Sequence, residues 1–249
     1  MVLVFDVRAD MAMFRKPYTT TSQVSFAVPP PTAIAGLVAA LAGIEHRANI
    51  DAYRAEFWQK LHGSRIAIGL LRPIQWFSTT VNLIKFKSAN GDMAEHIQSK
   101  HQLIKNPCYR VYFQNGDIYV DLKRRLEREE FVFTPYLGVA YALADIAYVG
   151  EFEAVPINDT ETWVDSIVPL YNGVHLDVMK GRGLHREKIP FQMNHQRELK
   201  QTVTVIYPEI TPTEDELFSN RIWLKNRGEL DVSQVGTERV GWFERWADL

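Results

Sequence analysis

The residues best able to do chemistry crowd into one stretch, Phe14 to Thr32, which reads FRKPYTTTSQVSFAVPPPT. Arg15 and Lys16 are cations suited to phosphate, and Phe14, Tyr18 and Phe26 are rings on which bases stack. Thr19, Thr20, Thr21 and Ser22 are small hydroxyls that bond phosphate or 2′-OH oxygens. Together these are what a hook for single-stranded RNA requires, and stacking contributes roughly 1–3 kcal/mol per base. The competing reading packs Phe14, Tyr18 and Phe26 onto the domain core.

A second basic set follows. Lys85 and Lys87 stand two residues apart, on one face if the segment is a strand, with Lys100 and His101 on the return. One face of such an arm would meet phosphate; alternatively its lysines only deter edge pairing. Lys180-Gly181-Arg182-Gly183 places two cations among glycines that permit close backbone approach, a second phosphate contact or simply a flexible turn.

The adjacent Lys100 and His101 also suit metal-free RNA cleavage: a base deprotonates the 2′-OH, a cation steadies the phosphorane and an acid protonates the leaving 5′-oxygen. The seven histidines form no HExxH or HxxxH pair and no carboxylate cluster accompanies them, so no metal site and no cofactor are expected.

The elements that must position these residues are legible in outline. Val2 to Val7 is apolar almost throughout, as a strand buried on both faces is. Pro17 and the Pro29-Pro30-Pro31 run make Phe14 to Thr32 a long loop. Thr32 would cap a helix from Ala33 to Gly43, and a second helix is expected over Asp51 to Leu61. Arg65 to Leu71 reads as a strand, and Trp76 to Ile104 as a basic hairpin turning at Ser88 to Asp92. Asn115-Gly116 between Cys108–Phe113 and Ile118–Leu122 signals a tight hairpin. A short charged helix, Lys123 to Glu130, follows; Phe133 to Gly138 then turns into a helix over VAYALADI, and Ala147 to Val155 is a strand.

That order is an α+β, ferredoxin-like βαββαβ pattern with insertions. It divides the chain into a domain of residues 1–156, with a thumb insertion at about 73–106, and a β-rich extension of residues 157–249. Near the end, Trp242 and Trp246 stand four apart, as on one face of a helix.

The whole-chain balance, 28 Lys and Arg against 30 Asp and Glu, hides a segregation. Residues 1–130 carry 17 basic and 12 acidic side chains, and residues 131–249 carry 11 and 18. A polyanion finds its path in the first half, and the acidic second half is expected to face protein partners or solvent. One cysteine, Cys108, excludes an internal disulfide framework and any CxxC zinc module. The longest apolar run, Ala33 to Ile44, is well short of the roughly 20 residues that span a bilayer. No membrane contact is expected, and the cytoplasm is the expected location.

The run Phe5 to Ile44 resembles the N-terminal signature of the CRISPR-associated Cas-five family, in particular its type I-B branch. The resemblance rests on Phe14-Arg15-Lys16-Pro17, the hydroxyls Thr19 to Ser22, the pair Ser25-Phe26, and Pro30-Pro31-Thr32 leading into an apolar helix containing Gly36. Asn106-Pro107 before Tyr109 and Arg110, and Thr134-Pro135-Tyr136-Leu137-Gly138, extend it over roughly the first 150 residues. It implies an RRM-related fold with a β thumb, sitting at the 5′ handle of a guide RNA (crRNA) in a Cascade complex. Ser25 and Tyr136 then join the RNA contacts. The implied partners are the large PAM-reading subunit, the first backbone filament subunit and target DNA near the PAM-proximal end. The resemblance to the type I-B branch implies a non-catalytic subunit; the alternative is the type I-C branch, which cleaves its own precursor with tyrosine, lysine and histidine.

Overall fold

The structure, a computed structural model, describes residues 1–19, 22–45, 55, 57–86, 93–180, 183–208 and 220–247. The chain opens with β1 (Val2–Ala9) and four two-residue strands, β2 (Met11–Ala12), β3 (Phe14–Arg15), β4 (Ser22–Gln23) and β5 (Ser25–Phe26). Helix α1 (Pro31–Ala42), the single turn α2 (Phe57–Lys60) and β6 (Arg65–Leu70) follow. A long hairpin, β7 (Gln75–Phe86) and β8 (Met93–Lys105), leads to β9 (Cys108–Gln114), α3 (Tyr119–Arg128) and β10 (Ala144–Phe152).

Strands β1, β6, β9 and β10 form one antiparallel sheet in the order β10-β1-β9-β6, with α1 between its first two strands in sequence and α3 between its last two. Strand β1 is central, and its unbroken apolarity has a structural reason. Leu3, Phe5 and Val7 pack toward Ile34 and Val38 of α1 and Leu122 and Leu126 of α3. Val2 and Val4 point to the other face, against Val235, Val240 and Trp242. Side chains alternate across a strand, so a strand covered on both faces must be apolar at every step.

The second cover comes from the C-terminal half, which is built of β11 (Ala154–Pro156), β12 (Thr162–Val164), β13 (Val168–Pro169), β14 (His175–Leu176), β15 (Leu184–Met193), β16 (Leu199–Pro208), β17 (Ile222–Asn226), β18 (Val232–Val235) and β19 (Glu238–Gly241). These form three three-stranded sheets, β11-β18-β19, β12-β17-β14 and β13-β16-β15. Ile189, Phe191, Val203 and Val205 of the last sheet share a core cluster with α1. An ion cluster stitches the halves together: Arg110 donates to both oxygens of buried Asp6 at 2.8 and 3.0 Å and to Glu238 at 2.9 Å, and Tyr112 donates to Glu238 at 2.6 Å. Its hydrogen bonds to Asp6, ahead of the one to Glu238, push the Arg110 pKa well above its usual value.

Four expectations need correction. Pro31 opens α1, its fixed φ pre-set for the first helical position, so the N-cap is Pro30 and Thr32 lies inside the helix. Asn115 and Gly116 do adopt positive φ, 64° and 86°, but the chain then enters α3 rather than a strand. Ile118, Leu122 and Leu126, spaced by four, bury one helical stripe, and that period prevails over the short alternation. The segment VAYALADI is not a helix. Ala142 and Ala144 are buried while Leu143 and Asp145 are exposed, the period of a strand, and Ala144 pairs with Ala9 as β10 begins. Trp242 and Trp246 lie in non-helical chain and enter different clusters; Trp246 meets Trp58 edge-on at 6.0 Å. No helix among the described residues is long and apolar enough to cross a membrane.

Candidate nucleic-acid interface

The stretch from Phe14 to Thr32 is less a loop than a small ribbon. β3 pairs with β5, and the Lys16 amide donates to Val24 at 2.8 Å. Ser25 is the hinge pin of this ribbon. Its buried hydroxyl accepts from the Phe14 amide at 2.8 Å and donates to the Phe26 carbonyl at 2.7 Å. Phe14 and Phe26 are 4% and 3% exposed, with Phe14 tilted against Tyr109 at 6.1 Å. These two rings and Ser25 are core groups, because the ribbon folds back on the sheet and removes its apolar side from water. The stacking ring that stays open is Tyr18, 72% exposed.

The two cations also part company. Lys16 is held 2.5 Å from Glu187 on β15 and lies over the Phe26 ring at 5.3 Å, while the other Glu187 oxygen accepts from the Ala27 amide. It anchors the ribbon. Arg15, on the opposite face of the two-residue strand, is exposed and donates to the Thr19 carbonyl of its own loop at 3.4 Å. The Thr19 hydroxyl donates to the Lys16 carbonyl and closes the turn beneath Tyr18.

The returning limb brings loop and arm together. β4 runs parallel to β8, with Ser22 opposite Lys100 and Gln23 opposite His101, and both Ser22 and Lys100 are exposed. Ser22 and Lys100 therefore share one stretch of surface, a hydroxyl beside a cation, while Arg15 and Tyr18 are exposed on the ribbon itself, with the Arg15 charge felt at His101. Lys100 and His101 point to opposite sides of β8, as neighbours on a strand must.

His101 is 7% exposed, with Nδ1 3.1 Å from the Tyr141 hydroxyl and Nε2 without a partner among the described residues. Burial, and then the nearby Arg15 charge, hold its pKa below the usual histidine value. The segment carrying Tyr141 is placed by Gly138. Its φ of +85° suits glycine, and a Cβ there would clash with the Met13 carbonyl oxygen, so the turn can lie flat on β3. The Tyr136–Leu143 bridge closes this turn and leaves Tyr136 half-exposed.

Of the remaining candidates, Lys85 sits in register with Glu95 on the arm, and its side chain lies outside the described residues. Thr20, Thr21, Lys87 and Arg182 also lie outside them. Lys180 is in the C-terminal half, tied to Glu161 at 2.5 Å and Asp177 at 3.7 Å, and is not part of this strip. Among the described residues no group of His, Cys, Asp and Glu could hold a metal ion.

Residues 2–166 match the family model described as CRISPR-associated protein (Cas_Cas5). The chain belongs to this family. The matched stretch contains the whole ribbon, the arm and the four-stranded sheet, and stops short of β13. A chain of a CRISPR RNA-guided surveillance complex has a similar fold, with a TM-score of 0.55 at 14% identity over 84% of this chain and 90% of the other. A CRISPR protein from Archaeoglobus fulgidus gives a TM-score of 0.55 at 18% identity over 97% and 99%. These two likenesses concern the fold. An aspartate–tRNA ligase of Lysinibacillus sphaericus (strain C3-41) is 26% identical over 160 residues, 58% of this chain but only 27% of the ligase.

Within this Cas5-family chain, the sequence did not single out Tyr141, because the segment around it reads as a helix with Tyr141 on one side. Glu187 was missed for a different reason. It lies far along the chain from Lys16, in a half whose acidity pointed to partners rather than to the ribbon.

Proposed function

We propose that this chain is the non-catalytic crRNA-binding subunit of a type I-B Cascade complex, gripping the 5′ handle of the guide. The observation that carries the reading is the parallel pairing of Ser22 with Lys100. It lays Ser22 alongside the arm, so that Ser22 and Lys100 offer phosphate contacts side by side, and Arg15 and Tyr18, exposed on the same ribbon, add a cation and a stacking ring. Family membership and the likeness to a surveillance-complex chain support it. The strand order β10-β1-β9-β6, all antiparallel with a helix in each half, supports a ferredoxin-like, RRM-related reading of the first domain. In this reading the chain links the large PAM-reading subunit to the first backbone filament subunit, near the PAM-proximal end of target DNA.

A second reading is metal-independent cleavage of precursor crRNA, favoured by the Tyr141–His101 contact beside Arg15. The opposite orientations of Lys100 and His101 on β8 weigh against a Lys100–His101 pair acting on one phosphate. One experiment separates the two: labelled precursor repeat RNA in EDTA, with Arg15→Ala and Lys100→Ala/His101→Ala variants, scored for retention and cleavage. Retention without cleavage, weakened by Arg15→Ala, is the expected result. Cleavage abolished by the Lys100/His101 change overturns the non-catalytic reading.

A further inference from the structure

The outer face of the β12-β17-β14 sheet carries a cationic surface whose cations all lie past residue 166, where the family match ends. Along β17 and the residue before it, Ile222 and Leu224 are fully buried, while Arg221, Trp223 and Lys225 alternate with them on the outside. Trp163 on β12 pairs directly with Trp223, their ring centroids 5.4 Å apart. Cations lie over both indoles: Arg239 at 3.6 Å and Arg221 at 5.1 Å from Trp163, and Lys180 at 5.1 Å from Trp223.

The carboxylates among these charges lie mostly underneath them. Asp165 and Asp177, with side chains 10% and 8% exposed, receive Arg221 at 3.1 Å, Lys180 at 3.7 Å and Lys225 at 4.0 Å, and the three cations themselves stay about half-exposed. Glu161 is the exposed acid here, paired with Lys180. Buried anions thus fix where exposed cations stand, and Arg221, Lys225, Lys180 and Arg239 outnumber Asp165, Asp177 and Glu161 here although residues 131–249 are acidic in sum. Such pre-positioning reduces the side-chain entropy lost on binding an anion.

We propose that this face binds the phosphodiester backbone of double-stranded DNA, separately from the RNA strip. The indoles are half-buried with cations over them, so they hold charge in place rather than offering the open rings that single strands stack upon. Arg221 and Lys225, four residues apart, are separated by about 13 Å along an extended strand. That is close to the roughly 12 Å width of a duplex major groove, so the two reach phosphates on opposite rims. The choice of DNA over duplex RNA rests on the Cascade reading above; the preference for a duplex rests on the face itself.

The test measures anisotropy of the full-length protein with three labelled probes at low salt: a duplex DNA of arbitrary sequence, a duplex RNA of equal length, and the single-stranded repeat handle. Lys180→Gln/Lys225→Gln should weaken duplex DNA binding about tenfold or more and reduce its salt slope by roughly 2, at about 0.9 per phosphate contact. Handle binding should be unchanged. Lys225→Gln alone, whose ammonium lies 4.0 Å from Asp177 with Lys180 still present on that carboxylate, should weaken duplex binding in the same direction without loss of thermal stability. Duplex DNA affinity unaffected by these changes, or lost equally in Arg15→Ala, overturns the proposal, as does tighter binding of duplex RNA to the same face. Intact duplex binding at this face with no handle binding supports it while sinking the handle-gripping reading.

Discussion

The ammonium of Lys16 sits 2.5 Å from Glu187, joining the ribbon at the front of the chain to β15 in its second half. Both side chains are largely buried, and the same carboxylate holds the Ala27 amide. A residue that sequence alone would assign to phosphate is thereby given to the fold.

Lys16→Ala should therefore act on stability. It leaves Glu187 with one neutral donor, and a hydrogen bond to a charged group contributes about 1.5–3 kcal/mol. Urea unfolding should show a loss in that range, and handle affinity should fall only as far as the ribbon loosens. A loss of RNA affinity with unchanged unfolding would show that Lys16 reaches RNA directly.

Arg15→Ala and Tyr18→Ala should behave in the opposite way. Both side chains are exposed, so stability should change by less than about 0.5 kcal/mol. Removing Arg15 should lower the salt slope of handle binding by roughly 0.7, and removing Tyr18 should cost about 1–3 kcal/mol of affinity with little change in slope. Phe14→Ala is the contrast, costing roughly 3–5 kcal/mol of stability as a buried ring. Titrations at several salt concentrations beside unfolding curves check all three.

His101 predicts a pH dependence whose sign follows from burial and from Arg15. Its folded pKa lies below the unfolded value near 6.5, so the unfolded chain takes up the proton first. Its contribution is fully present above about pH 6.5 and is lost as pH falls below that value toward the folded pKa. His101→Gln should flatten this part of the stability profile, and Arg15→Ala should move the folded pKa back up, read by NMR titration of the imidazole. An unchanged titration in Arg15→Ala would remove the coupling between them.

Arg110→Ala should be among the most damaging changes in the sheet. It leaves the buried Asp6 carboxylate without its bidentate partner and Glu238 held by Tyr112. Breaking a buried pair costs about 3–5 kcal/mol, which for a chain of this size lowers Tm by roughly 10 °C. Thermal unfolding of Arg110→Ala beside Glu238→Gln, which should cost less, checks the assignment.

Gly138→Ala should separate the turn at residues 135–143 from β3, since a Cβ meets the Met13 carbonyl and the φ of +85° disfavours any side chain. The Tyr141–His101 contact should be lost with it, seen as a rise in the His101 pKa and a lower Tm together.

By itself the sequence determined the elements whose period was unambiguous: the buried strand at Val2, the apolar helix behind Pro31, the long hairpin and the segregation of charge. Local pattern is enough there, because each element's own side chains decide which face is buried. It also marked Phe14 to Thr32, through residue types alone, as the stretch to carry the proposed RNA contacts, and the structure folds that stretch as a ribbon. It could not say that Ile118 to Leu122 is helical, since a four-residue spacing and an alternation coincide over so short a run. Nor could it assign the members of the ribbon. Arg15 is exposed, Lys16 is paired with Glu187, and Phe14, Ser25 and Phe26 are buried because distant strands cover one side of the ribbon and leave the other open. Those roles depend on contacts between residues far apart in the chain, which only the tertiary structure decides.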